Sequence, residues 1–232
     1  MNRFDQTRRE ALIKLAAGSL ALSTSPSWAR ITPNCVLTPE QTEGPYFVDT
    51  QLQRSDIRSD PRTGRMRAGL PLQLQLQVTG IQAGQCRALP GAIVDIWHCD
   101  AAGVYSEVSA GSNDTTGQQF LRGYQITDQL GKVNFVTIYP GWYPGRAIHI
   151  HFKVRTASRA GKAELLTSQL YFDEAVTQRV YQRPPYAQRA TGYQSNERDG
   201  IYRSGQGQQL LLRPEPQGQG YAAVFGIGLM LS

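Results

Sequence analysis

The chain has 232 residues and a formal net charge of +6, and 40% of its residues are hydrophobic. This length suits one domain with a full core, and the apolar and aromatic fractions are those of a globular protein, not of a disordered one. The charge balance and the lack of a basic stripe do not indicate a nucleic-acid partner. No window is apolar for long enough to predict a membrane-spanning helix or a stable membrane association.

The first 29 residues have the pattern of an export signal. Arg8 and Arg9 form a twin arginine, an apolar run covers residues 15–22, and Ser27 and Ala29 are small residues at the two positions that a signal peptidase reads. We therefore predict a twin-arginine signal peptide at residues 1–29, a single domain at residues 30–232, and a periplasmic or extracellular location. An amphipathic helix of the mature protein is the alternative.

The three cysteines are expected to form one disulfide and leave one thiol, because export leads to an oxidising compartment. Cys86 and Cys99 bracket a single predicted strand, which would have to fold back on itself for these two to pair. Cys35 is therefore the expected partner of one of the other two, and the sequence leaves open which.

The predicted domain begins with loop and continues as short strands separated by turns. Residues 30–70 have no helical period, whereas residues 72–78 alternate strictly between apolar and polar side chains. A hairpin turn is predicted at 128–131, a short helix at 173–181 and a polar loop at 186–206. The predicted strands are 72–78, 92–98, 120–127, 132–139, 148–154, 165–172, 209–212 and 221–231. About eight strands with long loops between them predict an all-β fold, a single β-sandwich.

The strand at 148–154 carries two histidines on one face. His149 and His151 alternate with Ile148, Ile150 and other apolar residues, so the imidazoles point the same way, about 7 Å apart at two strand rises. Two neutral imidazoles on a rigid strand can chelate a metal. Tyr143 lies six residues before His149 in a Trp-Tyr-Pro-Gly turn, from which a phenolate could reach the same ion. The alternative is that the histidines are solvated and the tyrosine packs in the turn.

A second tyrosine completes a candidate ligand set. Tyr105 lies just past the strand at 92–98, where a sandwich presents its loops, and would otherwise be an ordinary packed aromatic residue. Two phenols and two imidazoles suit ferric iron, a hard acid that favours anionic oxygen and also accepts imidazole, whereas zinc more often takes Cys, His and carboxylate. The set predicts one non-haem Fe(III) per chain. His98 shares the parity of apolar neighbours and is interpreted as structural.

Several motifs resemble those of the intradiol ring-cleavage dioxygenases. They are Gly-Pro-Tyr at 44–46, the stretches 95–106, 122–128 and 168–172, and Arg-x-x-His-x-His at 146–151. The resemblance covers residues 35–182 and implies a β-sandwich domain with a mononuclear non-haem Fe(III). The metal ligands that it implies are Tyr105, Tyr143, His149 and His151, and the residues beside the substrate are Arg146 and Gln169.

The same resemblance implies a reaction. A catechol would bind the iron as a dianion, Tyr143 would be the axial ligand that leaves on protonation, and Tyr105 would stay bound. Arg146 would stabilise negative charge on the ring, and O2 would open the bond between the two hydroxylated carbons to give a muconate-type diacid. The alternative function is an exported transthyretin-like binding module whose metal site is incidental.

Two departures point to the shorter, exported members of this family. Five residues separate Tyr143 from His149, where the cytoplasmic enzymes usually carry an insertion, and no long helix is predicted in residues 30–70. A short link would leave the pocket open, with Gly44 and Tyr46 as walls. Since Arg146 is the one carboxylate-binding group recognised there, catechol and hydroxyquinol are expected to be cleaved at least as well as protocatechuate. The oligomeric state is left open.

Overall fold

The computed structural model describes residues 36–110, 113–156 and 165–231. The predicted signal peptide at 1–29 and Cys35 lie outside the described residues. In chain order the strands are β1 (Pro71–Gln82), β2 (Gln85–Ala88), β3 (Ile93–Trp97), β4 (Ser109–Ala110), β5 (Asn113–Asp114), β6 (Arg122–Ile126), β7 (Lys132–Ile138), β8 (His149–Arg155), β9 (Leu165–Phe172), β10 (Leu211–Leu212), β11 (Glu215–Gln217) and β12 (Gly220–Met230). The α-helices are α1 (Glu174–Val180) and α2 (Gly200–Ser204), and short 3-10 turns cover Tyr186–Arg189, Asn196–Arg198 and Gly207–Leu210.

The first sheet is built around β1. In the described part of the chain it has five strands, with β12 and then β11 on one side of β1. On the other side, β7 pairs antiparallel with the first half of β1, and β2 pairs with its end. The pairing of β1 with β12 is parallel and runs from Leu72↔Tyr221 to Ile81↔Met230.

The second sheet has the order β10-β9-β8-β3-β6 and places the two histidines at its centre. Strand β8 pairs antiparallel with both β3 and β9, so His151 lies opposite Trp97 on one side and Gln169 on the other. One face of β8 is apolar: Ile150, Phe152 and Val154 are fully buried. They pack in one cluster with residues of β1, β7 and β12, which is the core between two sheets. The predicted all-β class is confirmed.

The turn at residues 128–131 exists, but the prediction that it closes a hairpin is wrong. Strand β6 before it belongs to the second sheet, whereas β7 after it pairs with β1 in the first sheet. Thr127 binds back to the second sheet, because its hydroxyl accepts from Ala92 N at 2.9 Å and its N–H donates to Ala92 O at 2.9 Å. Four residues later the carbonyl of Gly131 accepts from Val78 N of β1 at 2.7 Å. The turn therefore carries the chain from one layer to the other.

The predictions near the C-terminus are partly right. The helix predicted at 173–181 is α1, whose first N–H groups donate to the side chain of Asp173. The strand predicted at 209–212 is shorter, because the 3-10 turn Gly207–Leu210 takes up its first half. The segment 186–206, predicted as polar loop, holds two 3-10 turns and α2. Strand β2 lies where only a turn was predicted.

Two observations bear on the remaining expectations. Cys86 is disulfide-bonded and Cys99 is buried and free, so a disulfide and a thiol are both present as predicted, and the predicted partner Cys35 lies outside the described residues. Within those residues, the structure contains no helix that is both long and apolar enough to cross a membrane.

Candidate metal centre

Four side chains bring their donor atoms to one point beside β8. The Nε2 atom of His149 lies 3.0 Å from Nε2 of His151, 3.2 Å from the hydroxyl of Tyr143 and 3.4 Å from the hydroxyl of Tyr105. The histidines come from adjacent positions on one face of a strand, Tyr105 from the segment between β3 and β4, and Tyr143 from the turn between β7 and β8. The predicted set is therefore assembled from three separate segments of the chain.

The surroundings of the histidines direct both Nε2 atoms to that point. Nδ1 of His149 lies 2.6 Å from the carbonyl of Ala147, so it carries the proton and donates it there, which leaves a lone pair on Nε2. The His151 ring stacks on Trp97 with centroids 4.9 Å apart and planes 8° apart. Both histidines are almost fully buried, so the alternative of solvated strand residues is wrong.

Burial disfavours charge on all four groups. It lowers the pKa of His149 to about 3 and that of His151 well below the ordinary value, so both rings are neutral. It raises the pKa of Tyr143 to about 12 and that of Tyr105 well above 10. Neutral imidazole lone pairs 3.0 Å apart, next to two phenols, form a donor set that a bound cation would stabilise.

The tyrosines are essential to this interpretation. Among the described residues, no group of three or more His, Cys, Asp or Glu side chains is placed to hold a metal ion. A metal at this point would find the phenol oxygens of Tyr105 and Tyr143 beside the two imidazoles. The donor set of two imidazoles and two phenolates fits ferric iron, because two phenolates offset two of its three charges and supply hard oxygen ligands.

The Gly-Pro-Tyr motif lies directly against this donor set. The Tyr46 ring stacks on Tyr105 with centroids 4.4 Å apart and meets the edge of Tyr143 at 6.0 Å. Gly44 has φ +69°, and a Cβ there would lie 3.4 Å from Cε1 of His151. A residue with a side chain at this position would be strained by its backbone angle, and its Cβ would lie in van der Waals contact with a candidate ligand. These contacts give the wall that the sequence predicted.

Arg146 and Gln169, which the family resemblance placed beside the substrate, lie next to the four donor side chains. Nη2 of Arg146 donates to Oε1 of Gln169 at 2.5 Å, while Nη1 lies 3.4 Å from the Tyr143 hydroxyl. Gln169 is fully buried, and its Nε2 donates to the carbonyl of Thr42 at 2.9 Å, which turns Oε1 toward the arginine. A guanidinium held beside the donor set can stabilise negative charge on a bound anion.

Asp199 was not predicted as a site residue, and it lies in the segment predicted as polar loop. Its Oδ2 accepts from Nε of Arg146 at 2.9 Å and from the backbone N–H of Ala147 at 2.8 Å, and the side chain is fully buried. Burial alone would raise the pKa of Asp199, but the Ala147 N–H and the Arg146 charge hold that pKa below its usual range. The one local signal at this position is that of a helix N-cap, an Asp followed by a short apolar stretch.

His98 is structural, as interpreted from the sequence. It is fully buried, with Nδ1 2.8 Å from the carbonyl of Cys99 and Nε2 2.7 Å from the hydroxyl of Thr137. Both ring nitrogens are thus occupied within the fold. Burial lowers the pKa of His98 to about 4, so the ring is neutral.

Fold and site together define a β-sandwich in which two phenols and two imidazoles form a candidate metal centre beside the second sheet. The family model described as dioxygenase matches residues 42–182 of the chain. This match covers more than half of the sequence, and the chain belongs to the intradiol ring-cleavage dioxygenase family.

The relatives agree with this assignment. An intradiol ring-cleavage dioxygenase from Tetranychus urticae is 31% identical with a TM-score of 0.71, and the match covers 84% of this chain and 94% of that one. The dioxygenase domain of a carbohydrate-binding fusion protein from Streptomyces sp. SirexAA-E is 29% identical with a TM-score of 0.59, covering 85% of this chain and 100% of that one. The chlorocatechol 1,2-dioxygenase of Pseudomonas putida is 31% identical over an alignment of 103 residues, and the match covers 37% of this chain.

The match to the Pseudomonas protein spans 36% of that protein's length, so it covers about a third of this curated relative. The family assignment disfavours the alternative of a transthyretin-like binding module.

Proposed function

We propose that this protein is a non-haem Fe(III)-dependent dioxygenase that cleaves catechol-type diols between the two hydroxylated carbons with O2, giving muconate-type diacids. The observation that carries the proposal is the convergence of Tyr105, Tyr143 and His151 within 3.4 Å of Nε2 of His149. These four residues would hold one iron per chain. When bound, Fe(III) would act as a Lewis acid that holds the catecholate and makes its ring reactive toward O2.

Tyr143 is the residue best placed to receive a substrate proton. Unlike Tyr105 it is partly exposed, and its hydroxyl lies 3.4 Å from Nη1 of Arg146. As a tyrosinate it would be a base at the edge of the site, and the neighbouring guanidinium would favour its charged form. Proton transfer from the diol to this oxygen would neutralise it and free it to move away.

Arg146 and Tyr46 would contact the aromatic ring of the substrate. The guanidinium would stabilise negative charge that develops on the bound diol. Tyr46 is partly exposed beside Tyr105, so its ring offers an apolar face against which a planar aromatic substrate could be oriented.

Metal analysis tests the proposal first. Purified protein is expected to contain about one iron per chain, one for each site, and to be burgundy through tyrosinate-to-Fe(III) charge transfer. It should also consume O2 when catechol is added. A colourless protein that contains zinc or copper at that level, with no iron, would refute the assignment.

A substrate panel tests the substrate class. Catechol, hydroxyquinol and alkylated catechols are expected to be cleaved at least as fast as protocatechuate. The reason is that Arg146, the cation beside the donor atoms, is already bonded to Asp199 at 2.9 Å and to Gln169 at 2.5 Å, so it is not free to bind a substrate carboxylate. Oxygen uptake measures the rates. Turnover of protocatechuate alone would show that another carboxylate-binding group exists.

We also propose that the protein is exported by the twin-arginine route. The sequence of residues 1–29 supports this, and so does the disulfide at Cys86, because disulfides persist in oxidising compartments. Cell fractionation of the full chain and of an Arg8→Lys/Arg9→Lys variant tests it. We expect the variant to remain in the cytoplasm, and an unchanged distribution would contradict the proposal.

A further inference from the structure

Asp199 makes a set of contacts that a simple helix cap does not need. Its Oδ1 accepts from the N–H groups of Ile201 at 2.8 Å and Tyr202 at 3.1 Å and so caps α2. The other carboxylate oxygen, Oδ2, is directed away from α2 and accepts from Arg146 and Ala147. One fully buried carboxylate thus joins the C-terminal segment to the segment that leads into β8.

The bond to Arg146 determines which edge of the guanidinium faces the metal centre. Asp199 takes Nε, and Gln169 takes Nη2. The remaining nitrogen, Nη1, lies 3.4 Å from both the Tyr143 hydroxyl and Nε2 of His149. A long flexible side chain would lose this orientation without an acceptor for Nε, since arginine side chains have high rotamer entropy.

The bond to Ala147 acts indirectly on His149, a candidate ligand, because Ala147 bonds to Asp199 through its N–H and to His149 through its carbonyl. Asp199 accepts from the N–H of Ala147 at 2.8 Å, and the carbonyl of Ala147 accepts from Nδ1 of His149 at 2.6 Å. That second bond fixes the tautomer and the ring orientation of His149, as outer hydrogen bonds to metal-binding histidines generally do. Asp199 therefore anchors the residue that orients the histidine.

We propose that Asp199 is a positioning residue of the metal centre, which orients Arg146 beside the bound diol and secures His149 on the iron through Ala147. This inference rests on the proposed function. It assigns to the C-terminal segment, more than 50 positions from Arg146 along the chain, an indirect role in the reaction through Arg146 and Ala147. The competing explanation is that Asp199 only caps α2.

Two variants separate these explanations. Asp199→Ser and Asp199→Asn both keep a good N-cap residue but remove the carboxylate that binds Arg146. Asp173→Asn is the matched control, because Asp173 caps α1 in the same way through Ala175 and Val176, and no contact joins it to the metal centre among the hydrogen bonds of the described residues. Circular dichroism and thermal unfolding establish that each variant is folded.

The first measurement is steady-state O2 uptake with catechol. We expect kcat to fall about 10- to 100-fold in either Asp199 variant, the range typical of outer partners of a metal site, with a smaller change in KM, while Asp173→Asn stays within about twofold of the parent protein. Arg146→Ala combined with Asp199→Ser is expected to lose clearly less than the product of the two single losses, because the interaction between the two residues is shared and only the effect through Ala147 remains. Wild-type kcat in Asp199→Ser, or multiplied losses in the double variant, would overturn the role through Arg146.

The second measurement is the rate at which a chelator removes iron from the resting protein, followed by loss of the visible band. It needs no turnover. We expect about tenfold faster release from Asp199→Ser and an unchanged rate from Asp173→Asn, and wild-type release from Asp199→Ser would overturn the role through His149. Failure of the proposed function itself would be distinct, since the parent protein would then hold no iron and consume no O2 with catechol.

Discussion

Tyr105 and Tyr143 bring the same phenol group to one point from two very different segments. Buried hydrogen bonds anchor the segment that carries Tyr105. The Tyr105 carbonyl accepts from the Thr115 hydroxyl at 2.7 Å, and the next residue, Ser106, donates to Phe120 O at 2.6 Å and accepts from Nε of Arg122 at 2.7 Å. The ring itself is 5% exposed.

Residues 143–145 are more exposed than the Tyr105 segment, and Tyr143 is held by fewer backbone hydrogen bonds. Tyr143 is partly exposed, and the next two residues, Pro144 and Gly145, are exposed. Its carbonyl accepts one long turn bond, from Arg146 N at 3.4 Å. If both tyrosines bind the proposed iron, Tyr143 is the one better able to leave it, because moving Tyr143 would break few hydrogen bonds, whereas moving Tyr105 would break buried ones. This contrast favours the roles that the family resemblance implied for the two residues.

Replacing each tyrosine by phenylalanine tests the contrast with the largest expected effects. Tyr105→Phe should lose iron or lose at least about 100-fold in O2 uptake, more than removal of an outer partner costs. Tyr143→Phe should keep part of its iron, show a weaker visible band and bind substrate more slowly, by about 100-fold if the lost group is a general base. Iron content, visible spectra and stopped-flow binding measure these effects. Full colour and full rate in Tyr143→Phe would remove the distinction between the two segments.

A smaller effect is expected from pH, through His98 at the base of the Tyr105 segment. Its buried ring is neutral in the folded protein, with a pKa of about 4 against 6.5 in an unfolded chain. Between pH ~4 and ~6.5 the unfolded state binds a proton on His98 that the folded state does not bind. The contribution of His98 to the free energy of unfolding is therefore highest above pH ~6.5 and falls by up to about 3 kcal/mol as the pH drops to ~4. Urea unfolding of the iron-loaded protein measures it.

His98→Gln supplies the control for this pH dependence. Glutamine can still bond to Thr137 but does not titrate, so the variant should lose less stability than the parent protein between pH ~6.5 and ~4. Both proteins contain His149 and His151, so proton uptake by these two residues on unfolding is common to both and cancels in the comparison. An identical pH dependence in the two proteins would show that His98 is not buried as a neutral ring.

The smallest difference is expected within a matched pair of glycines, between two variants that share the same backbone cost. Gly145, in the Tyr143 turn, has φ +84° and no atom within 4 Å of an added Cβ, whereas Gly103, in the Tyr105 segment, has φ +83° and would place Cβ 2.1 Å from the carbonyl of Trp142. Both alanine variants carry the same backbone cost of about 1–2 kcal/mol. Gly103→Ala should lose about 2 kcal/mol more through overpacking. Equal unfolding free energies would contradict the difference in packing.

The parts of the site that the sequence predicted are those with a local pattern. His149 and His151 stand out because alternation along one strand places both rings on the same face. Tyr105 was noted from its position just past a strand, whereas Arg146 and Gln169 came from motifs of a known family, since no period marks them. The apolar stripe of β8 also predicted correctly which side of the strand would form the core.

The parts that were missed depend on distant partners. Asp199 is bonded to residues 52 and 53 positions away, and nothing near it in the sequence reveals that contact. The false hairpin has a similar origin: residues 122–126 and 132–138 both read as strands beside a good turn, but hydrogen bonds to Ala92 and Val78 assign them to different sheets. Local patterns predict an element, and tertiary pairing decides its neighbour.

The parallel pairing of β1 with β12 has a consequence for the order in which the molecule is made. Strand β1 is synthesised early, yet its partner along Leu72–Ile81 is the segment 221–230. Until that segment leaves the ribosome, one edge of the central strand presents unpaired N–H and C=O groups to any other strand that it meets. Contacts of such long sequence separation also slow folding. A nascent chain stalled before residue 220 would therefore be prone to aggregation, and completion of the first sheet would depend on the last strand described.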